Sequence, residues 1–321
     1  MIISSINTVF LFISNRCNLS CNHCYISASP NKGIDMSFPA IKRSLELFSK
    51  YDIQDFRITG GEPTLHPMFY EIVTFFFERG YKIGLTTNGM NLFSTHLMGI
   101  LDMLSRCWVS VYGLTANRNN FISGIPVPKF HNLLKMVDEN SKAGYPIGIS
   151  AILTPHDKNL VSSFIDLIYS HGIKRLRFLF IEPDGRAKTH MNINWKDWQL
   201  EVRYIYEIIK NHLLASHFDI ISVSDPFDLD NRYKHPDDSC LLMNRRMWSV
   251  LPIGEIYPCC FNVYPIKTKS VSNIFEASVV EKLSAYSNSL QDNINCRGLN
   301  PSYWKLRNLE HISCPISAIT I

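Results

Sequence analysis

NTVFLFISNRCNLSCNHCY, residues 7–25, joins an apolar run to a loop carrying Cys17, Cys21 and Cys24 within eight residues. The run is β-branched and aromatic, and it predicts a buried strand over 7–14. It is too short to span a membrane, and it lacks the basic flank and small-residue cleavage site of a secretion signal. With nine cysteines in 321 residues, a C-x3-C-x2-C spacing arises by chance about 0.007 times, so the spacing itself carries information. Three thiolates on one short loop suit two kinds of site. They wrap an iron–sulfur cube and leave one iron open, or they bind zinc with His23 as a fourth ligand.

Working outward, the chain alternates short β-rich runs with helical patterns. Strands are expected at 7–14, 54–59, 81–87, 106–112, 146–152 and 173–180, with helices at about 37–50, 67–79, 93–104, 127–143 and 157–171. Such alternation makes parallel βαβ units, and six of them predict an α/β fold, a partial (β/α)6 barrel. A turn-rich Glu182-Pro183-Asp184-Gly185-Arg186 ends that region, and an amphipathic helix follows at about 195–213. A Pro/Asp-rich stretch from Asp225 to Asp238 marks a boundary. Beyond it a hairpin is expected around Gly254 and a helix near 274–286. The expected division is 1–190 barrel, 191–238 bridging helix and linker, and 239–321 a small cysteine-rich α+β domain.

Composition narrows the function classes. Hydrophobic residues make up 46% and charged ones 19%, which is a chain able to bury a sizeable core rather than a disordered one. A net charge of +4 with no long basic run is weak support for a nucleic-acid partner. With no export signal and no span, the expectation is a cytoplasmic protein without membrane or nucleic-acid partners. In reducing cytosol, clustered cysteines serve as metal ligands or catalytic groups more often than disulfides.

The loops behind the next strands add chemistry. The second strand runs into Thr59-Gly60-Gly61-Glu62-Pro63, the third into Thr86-Thr87-Asn88-Gly89, and the fourth reads Val109-Ser110-Val111-Tyr112-Gly113. In a parallel barrel these loops share the C-terminal rim, where ligands bind. Glycines let backbone approach a ligand closely, and Glu62 is suited to accept hydrogen bonds from a cationic amine.

GGEP on the strand after a C-x3-C-x2-C loop resembles the radical S-adenosylmethionine (SAM) enzymes, and the resemblance covers residues 7 to about 187. It implies that Cys17, Cys21 and Cys24 bind a [4Fe–4S] cluster whose open iron is chelated by SAM. It also implies that Gly60, Gly61 and Glu62 hold the SAM amino group and that His23 lies against the adenine. Asn88 and Ser110 are candidate ribose or methionine contacts. The chemistry implied is a 5′-deoxyadenosyl radical that removes hydrogen from a substrate C–H, with an external one-electron reductant of flavodoxin or ferredoxin type.

Farther on, Cys240, Gly254 and Cys259 form a C-x13-G-x4-C run that is similar to the opening of the SPASM/Twitch extension. The dense cysteine block of full SPASM is missing, so the resemblance points to the shorter Twitch version. One auxiliary [4Fe–4S] cluster on Cys240, Cys259, Cys296 and Cys314 is implied. Cys107, among apolar neighbours, is expected in the core.

Adjacent side chains on extended backbone point to opposite faces, so Cys260 points away from a cluster held by Cys259. It is either inert packing or a thiol aimed at the active site, and which of the two cysteines ligates stays open. By resemblance to the epipeptide epimerases, such a thiol returns hydrogen to a substrate Cα, inverting L to D. The leading expectation is therefore a peptide epimerase with Cys260 as hydrogen donor, acting on a ribosomally made precursor peptide. The alternatives are radical dehydrogenation of an alcohol, thioether or C–C cross-linking of a peptide, and a non-catalytic zinc-binding protein. With a strand by residue 7, no winged-helix leader-binding domain is expected ahead of the barrel, which keeps small-molecule substrates in play.

Overall fold

The computed structural model describes residues 8–31, 33–51, 53, 55–97, 99–181, 185–191, 195–224, 247–257, 270–289 and 318–320. The barrel strands are β1 (Thr8–Ser14), β2 (Asp55–Gly60), β3 (Lys82–Thr87), β4 (Arg106–Val111), β5 (Ile147–Leu153) and β6 (Arg175–Phe180). Each pairs in parallel with the next, and β7 (Ile220–Ser224) continues the series beside β6. The helices between them are α1 (Phe38–Phe48), α2 (Phe69–Phe77), α3 (Ile100–Met103), α4 (Ala116–Ser123), α5 (Val127–Lys142), α6 (Val161–Ser170), α7 (Arg186–His190) and α8 (Trp195–Lys210). This is the expected α/β architecture with its incomplete parallel barrel.

Helix α1 illustrates how sequence makes these units. Ser37 caps it by accepting from the Ala40 amide (3.3 Å), Pro39 sits in the first turn, and Ile41, Leu45 and Phe48 bury one stripe. Strand residues that face the helices, such as Val9, Leu11, Phe56, Ile58, Leu85 and Val109, join that stripe in one core. Phe56 of β2 meets Phe76 of α2 at 4.4 Å between ring centroids, with Tyr81 edge-on at 5.1 Å. Cys107 is 1% exposed in the same core. The helix expected at 93–104 is confined to Ile100–Met103, with a short 3-10 turn ahead of it.

The alternate residues of each strand face the barrel interior. Register puts Phe10, Arg57, Gly84 and Arg106 on one row across β1–β4. Trp108, Gly148 and Arg175 fall on the next row, and Ser110, Ser150 and Arg177 on the one above it.

Beyond the bridging helix the chain returns to both edges of this sheet. Strand β8 (Met247–Val250) lies parallel to β1, and β9 (Glu255–Tyr257) and β10 (Ser272–Asn273) extend it in antiparallel fashion. Gly254, at φ 88°, makes the expected hairpin turn between β8 and β9. Helix α9 (Val279–Ser289) follows, and β11 (Ala318–Thr320) pairs antiparallel with β7 at the far edge. The strand order is β10-β9-β8-β1-β2-β3-β4-β5-β6-β7-β11. No helix among the described residues is long and apolar enough to cross a membrane.

Candidate functional site

The cysteine loop leaves β1 and folds back on it. The Met36 amide donates to the Ile13 carbonyl (2.7 Å), Asn15 N–H to Ile34 O (3.2 Å) and Cys17 N–H to Ser29 O (3.3 Å). Arg16 fastens the base through Asp35, with Nη2–Oδ2 at 2.6 Å, and Ser14 Oγ donates to the same carboxylate at 2.7 Å. At the tip the Cys24 amide reaches Cys21 O (3.1 Å), a tight turn that brings the last two cysteines close.

Burial pushes the Cys17 thiol up to about 11 and Cys21 higher still, and charge on one of the three would repel charge on the others. Cys17 and Cys21 are neutral thiols near pH 7 until a metal displaces their protons. Donors already aim at Cys17 Sγ, with Leu19 N–H at 3.4 Å and Asn88 Nδ2 at 3.8 Å. Among the described residues no three Cys, His, Asp or Glu side chains converge on a point that would hold one metal ion. A cube gives each thiolate its own iron and needs sulfurs spread apart, whereas zinc draws all its ligands onto one centre. Three thiols on one short loop are a donor set that fits an iron–sulfur cube with one open iron.

The GGEP segment packs directly on this loop. A Cβ on Gly60 (φ 141°) would lie 2.1 Å from Ser14 O, and one on Gly61 would lie 2.0 Å from Arg16 O. The close backbone approach that these glycines permit is therefore to the cysteine loop itself. Gly61 N–H donates to Ser14 O (2.8 Å), and Glu62 N–H to Arg16 O (2.7 Å).

Glu62 is completely buried. Its Oε1 accepts from Thr64 N–H (3.1 Å), Thr64 Oγ1 (2.6 Å) and Thr87 Oγ1 (2.7 Å), and its Oε2 accepts from Asn88 N–H (2.7 Å). Burial raises its pKa against the pull of those four donors. Oε2 retains acceptor capacity for one further donor, such as an ammonium. Asn88 Nδ2 then reaches Asn18 Oδ1 (2.7 Å), so the GGEP turn, the TTNG turn and the cysteine loop form one network.

His23 lies against Tyr112, with ring centroids 4.8 Å apart. Its Nδ1 is buried without a hydrogen-bond partner, and burial, aided by Arg186, lowers its pKa to about 4. A neutral imidazole with an unsatisfied nitrogen suits a polar aromatic ligand at the rim. Ser110 is buried two residues back on β4, and it is a hydrogen-bond partner of Tyr112. The structure thus brings Cys17, Cys21, Cys24, His23, Gly60, Gly61, Glu62, Asn88 and Ser110 to one rim. Cys240, Cys259, Cys260, Cys296 and Cys314 lie outside the described residues.

Some site residues were not singled out from the sequence. Arg186 Nε donates to Cys21 O (2.8 Å), Nη2 to Ala28 O (2.7 Å) and its amide to Cys24 O (3.0 Å), so the end of the sixth unit clamps the cysteine loop. The sequence signal was the Gly185-Arg186 turn, read there only as punctuation. Helix α4 holds the other side, with the Asn22 amide on Ile122 O (2.9 Å). Arg118 of α4 pairs with fully buried Asp157 at 2.8 Å and donates to Thr154 Oγ1, also at 2.8 Å.

An open parallel barrel whose rim carries a three-thiol loop locked to a GGEP turn defines an iron–sulfur enzyme of the SAM-dependent class. Residues 11–164 match the family described as Radical SAM superfamily, and this match supports radical SAM chemistry for the chain. The chain is 24% identical over 209 residues to a probable GTP 3′,8-cyclase of Saccharolobus islandicus, covering 64% of this chain and 67% of that protein. It is also 24% identical over 264 residues to an uncharacterized protein of Methanocaldococcus jannaschii, covering 78% and 84%.

Among solved structures, Streptococcus suis SuiB bound to precursor peptide SuiA superposes with a TM-score of 0.69 at 18% identity, over 94% of this chain and 69% of that one. Native anSMEcpe with bound AdoMet and Cp18Cys peptide gives a TM-score of 0.60 at 17% identity, over 93% and 87%. These likenesses establish the shared fold.

Proposed function

We propose that this enzyme inverts L-residues to D in a ribosomally made peptide, with Cys260 as the hydrogen donor. In this reading Cys17, Cys21 and Cys24 hold the SAM-binding [4Fe–4S] cluster. His23, Gly60, Gly61, Glu62, Asn88 and Ser110 bind SAM. Residues 1–190 are the barrel, 191–238 the bridge and 239–321 a Twitch domain, whose Cys240, Cys259, Cys296 and Cys314 hold a second cluster. The cluster and SAM, when bound, supply abstraction of a hydrogen atom from an aliphatic C–H; the protein orients the substrate and excludes water.

One observation carries the epimerase reading. Strand β9 runs antiparallel to β8 and hence to β1, so the chain leaves Tyr257 travelling away from the rim. Inversion requires hydrogen to leave one face of the Cα and return to the other. In this reading Cys260, three residues past Tyr257 in sequence, supplies the hydrogen to that second face. The Cys260 S–H gives its hydrogen atom to the Cα radical, and the resulting sulfur radical is restored by one electron and one proton from the external reductant and water. Two peptide-bound structures among the solved neighbours are consistent with a barrel that accepts a peptide.

The test is turnover in D2O with SAM, reductant and candidate precursor peptides. The expected product carries one deuterium at each inverted Cα and no other change. Product without Cα deuterium removes the epimerase reading, and loss of a hydrogen pair assigns dehydrogenation or cross-linking instead. A second reading, a nucleotide substrate, is favoured by the likeness to the probable GTP 3′,8-cyclase. Consumption of GTP in place of peptide would establish it.

A further inference from the structure

The cysteine loop turns back on itself after Cys24, and one arginine straddles the turn. Ser27 there adopts φ 55°, left-handed backbone that a residue other than glycine seldom takes, and its N–H reaches Cys24 O (3.2 Å). The returning chain brings Cys21 O and Ala28 O to the same guanidinium. Arg186 Nε donates to Cys21 O at 2.8 Å and Nη2 to Ala28 O at 2.7 Å. A third bond, from the Arg186 amide to Cys24 O (3.0 Å), sets the backbone of the arginine against the last thiol-bearing residue as well. Gly185 permits this approach. Its φ is 55°, and a Cβ on it would stand 2.4 Å from both Cys24 O and Tyr25 O.

These three bonds go to main-chain carbonyls, so they leave the sulfurs free for metal. The two side-chain contacts bracket Cys24, and the span that they tie, residues 21–28, carries two of the three thiols. A guanidinium suits this task better than an ammonium, because its donors leave one rigid plane in fixed directions, and it is permanently charged. Through Nε that charge stands one hydrogen bond from a residue whose sulfur is placed to bind iron. An iron–sulfur cluster becomes more negative by one charge when it takes an electron, and the charge and hydrogen bonds around it set its potential. A cation fixed at this point favours the reduced form.

We propose that Arg186 is a positioning residue for the rim cluster: it fixes the loop between Cys21 and Ala28, and its charge raises the potential at which the cluster accepts an electron. The inference rests on the reading of Cys17, Cys21 and Cys24 as cluster ligands, and it holds for peptide and nucleotide substrates alike. The external reductant is oxidised by one electron as the cluster is reduced by one, and no covalent bond to Arg186 forms or breaks.

A redox titration tests this without turnover. Wild type, Arg186→Lys and Arg186→Gln are reconstituted anaerobically with iron and sulfide and poised at a series of potentials. The signal followed is the electron paramagnetic resonance of the reduced cluster that changes when SAM is added, which separates the rim cluster from any second one. In Arg186→Gln the ratio of reduced to oxidised cluster at a fixed potential should fall about tenfold, a shift of about 59 mV for one electron. Arg186→Lys keeps the charge and should stay within about twofold of wild type. Hydrogen exchange across residues 21–28 of the metal-free chains reads the positioning separately, and loss of the fork should speed it about tenfold in both variants. A wild-type potential in Arg186→Gln, an equal fall in Arg186→Lys, or unchanged exchange in both variants overturns the proposal. Should Arg186→Gln fail to fold or to take up iron, exchange in Arg186→Lys decides: faster exchange keeps the proposal and unchanged exchange rejects it. A wild-type protein without any SAM-responsive signal overturns the rim reading itself, and this inference with it.

Discussion

At the rim, Glu62 meets four donors from Thr64, Thr87 and Asn88, and Asn88 passes the network on to the cysteine loop. Lower on the same strands, Asp55 Oδ2 is shared by Arg57 Nε (2.9 Å) and Arg106 Nη2 (3.0 Å), and both Ser249 Oγ and Asp55 Oδ1 lack a partner. Around Glu62 the rim's polar groups hold one another in place, while His23 Nδ1 is left without a partner, as in a cofactor site formed before its ligand binds. At the lower level one carboxylate holds guanidiniums from β2 and β4, a tie between strands rather than a cradle for a cofactor.

Substitutions at the two levels should therefore fail differently. The largest effect belongs to Cys21→Ala, which should remove about four irons per chain and abolish turnover. Iron analysis after anaerobic reconstitution checks it, and an unchanged iron content would break the assignment of the rim. Gly61→Ala comes next. Its Cβ would press on the Arg16 carbonyl, backbone that cannot swing aside, so urea unfolding should show a loss of about 3 kcal/mol.

The equivalent change at the lower level, Gly84→Ala, meets the flexible Arg106 side chain and should cost only about 1 kcal/mol. Urea unfolding on the same scale as Gly61→Ala checks it. The smallest effect on stability is that of Ser249→Ala, within about 0.5 kcal/mol, because the deleted hydroxyl makes no bond. A loss above about 2 kcal/mol on thermal unfolding would mean that the hydroxyl is structurally engaged after all, and the contrast between the levels would fall.

Much of the barrel was legible because each unit declares itself locally. The six expected strands all form, β1 ends in the cysteine loop, and GGEP follows β2, since β-branched runs and glycine turns encode these features over a few residues. Helix α4 was not legible. Its sequence, ANRNNFIS, has weak helix formers and no apolar stripe. Thr115 caps it, and Asn119 Oδ1 accepts from the Tyr112 amide at 2.8 Å, a contact with the end of β4. Strand β7 was hidden for a related reason. Five residues, IISVS, qualify as a strand only because β6 presents an open parallel edge. Cys240, Cys259, Cys260, Cys296 and Cys314 rest on sequence reasoning, and the D2O experiment bears on Cys260 directly.

The sequence by itself determined the chemistry-bearing parts: three cysteines at a spacing suited to a cube, a GGEP turn after the next strand, and the alternation that sends both to one rim. These are local or periodic features, and periodicity dictates which face a side chain takes. Only the tertiary structure decided who holds whom. It set Gly60 and Gly61 against Ser14 and Arg16, closed Arg186 over Cys21, and gathered arginines from β2, β4 and β6 across Gly84 and Gly148. Those contacts join residues far apart in the chain, and their distances follow from strand register and sheet curvature, which no single segment of sequence encodes.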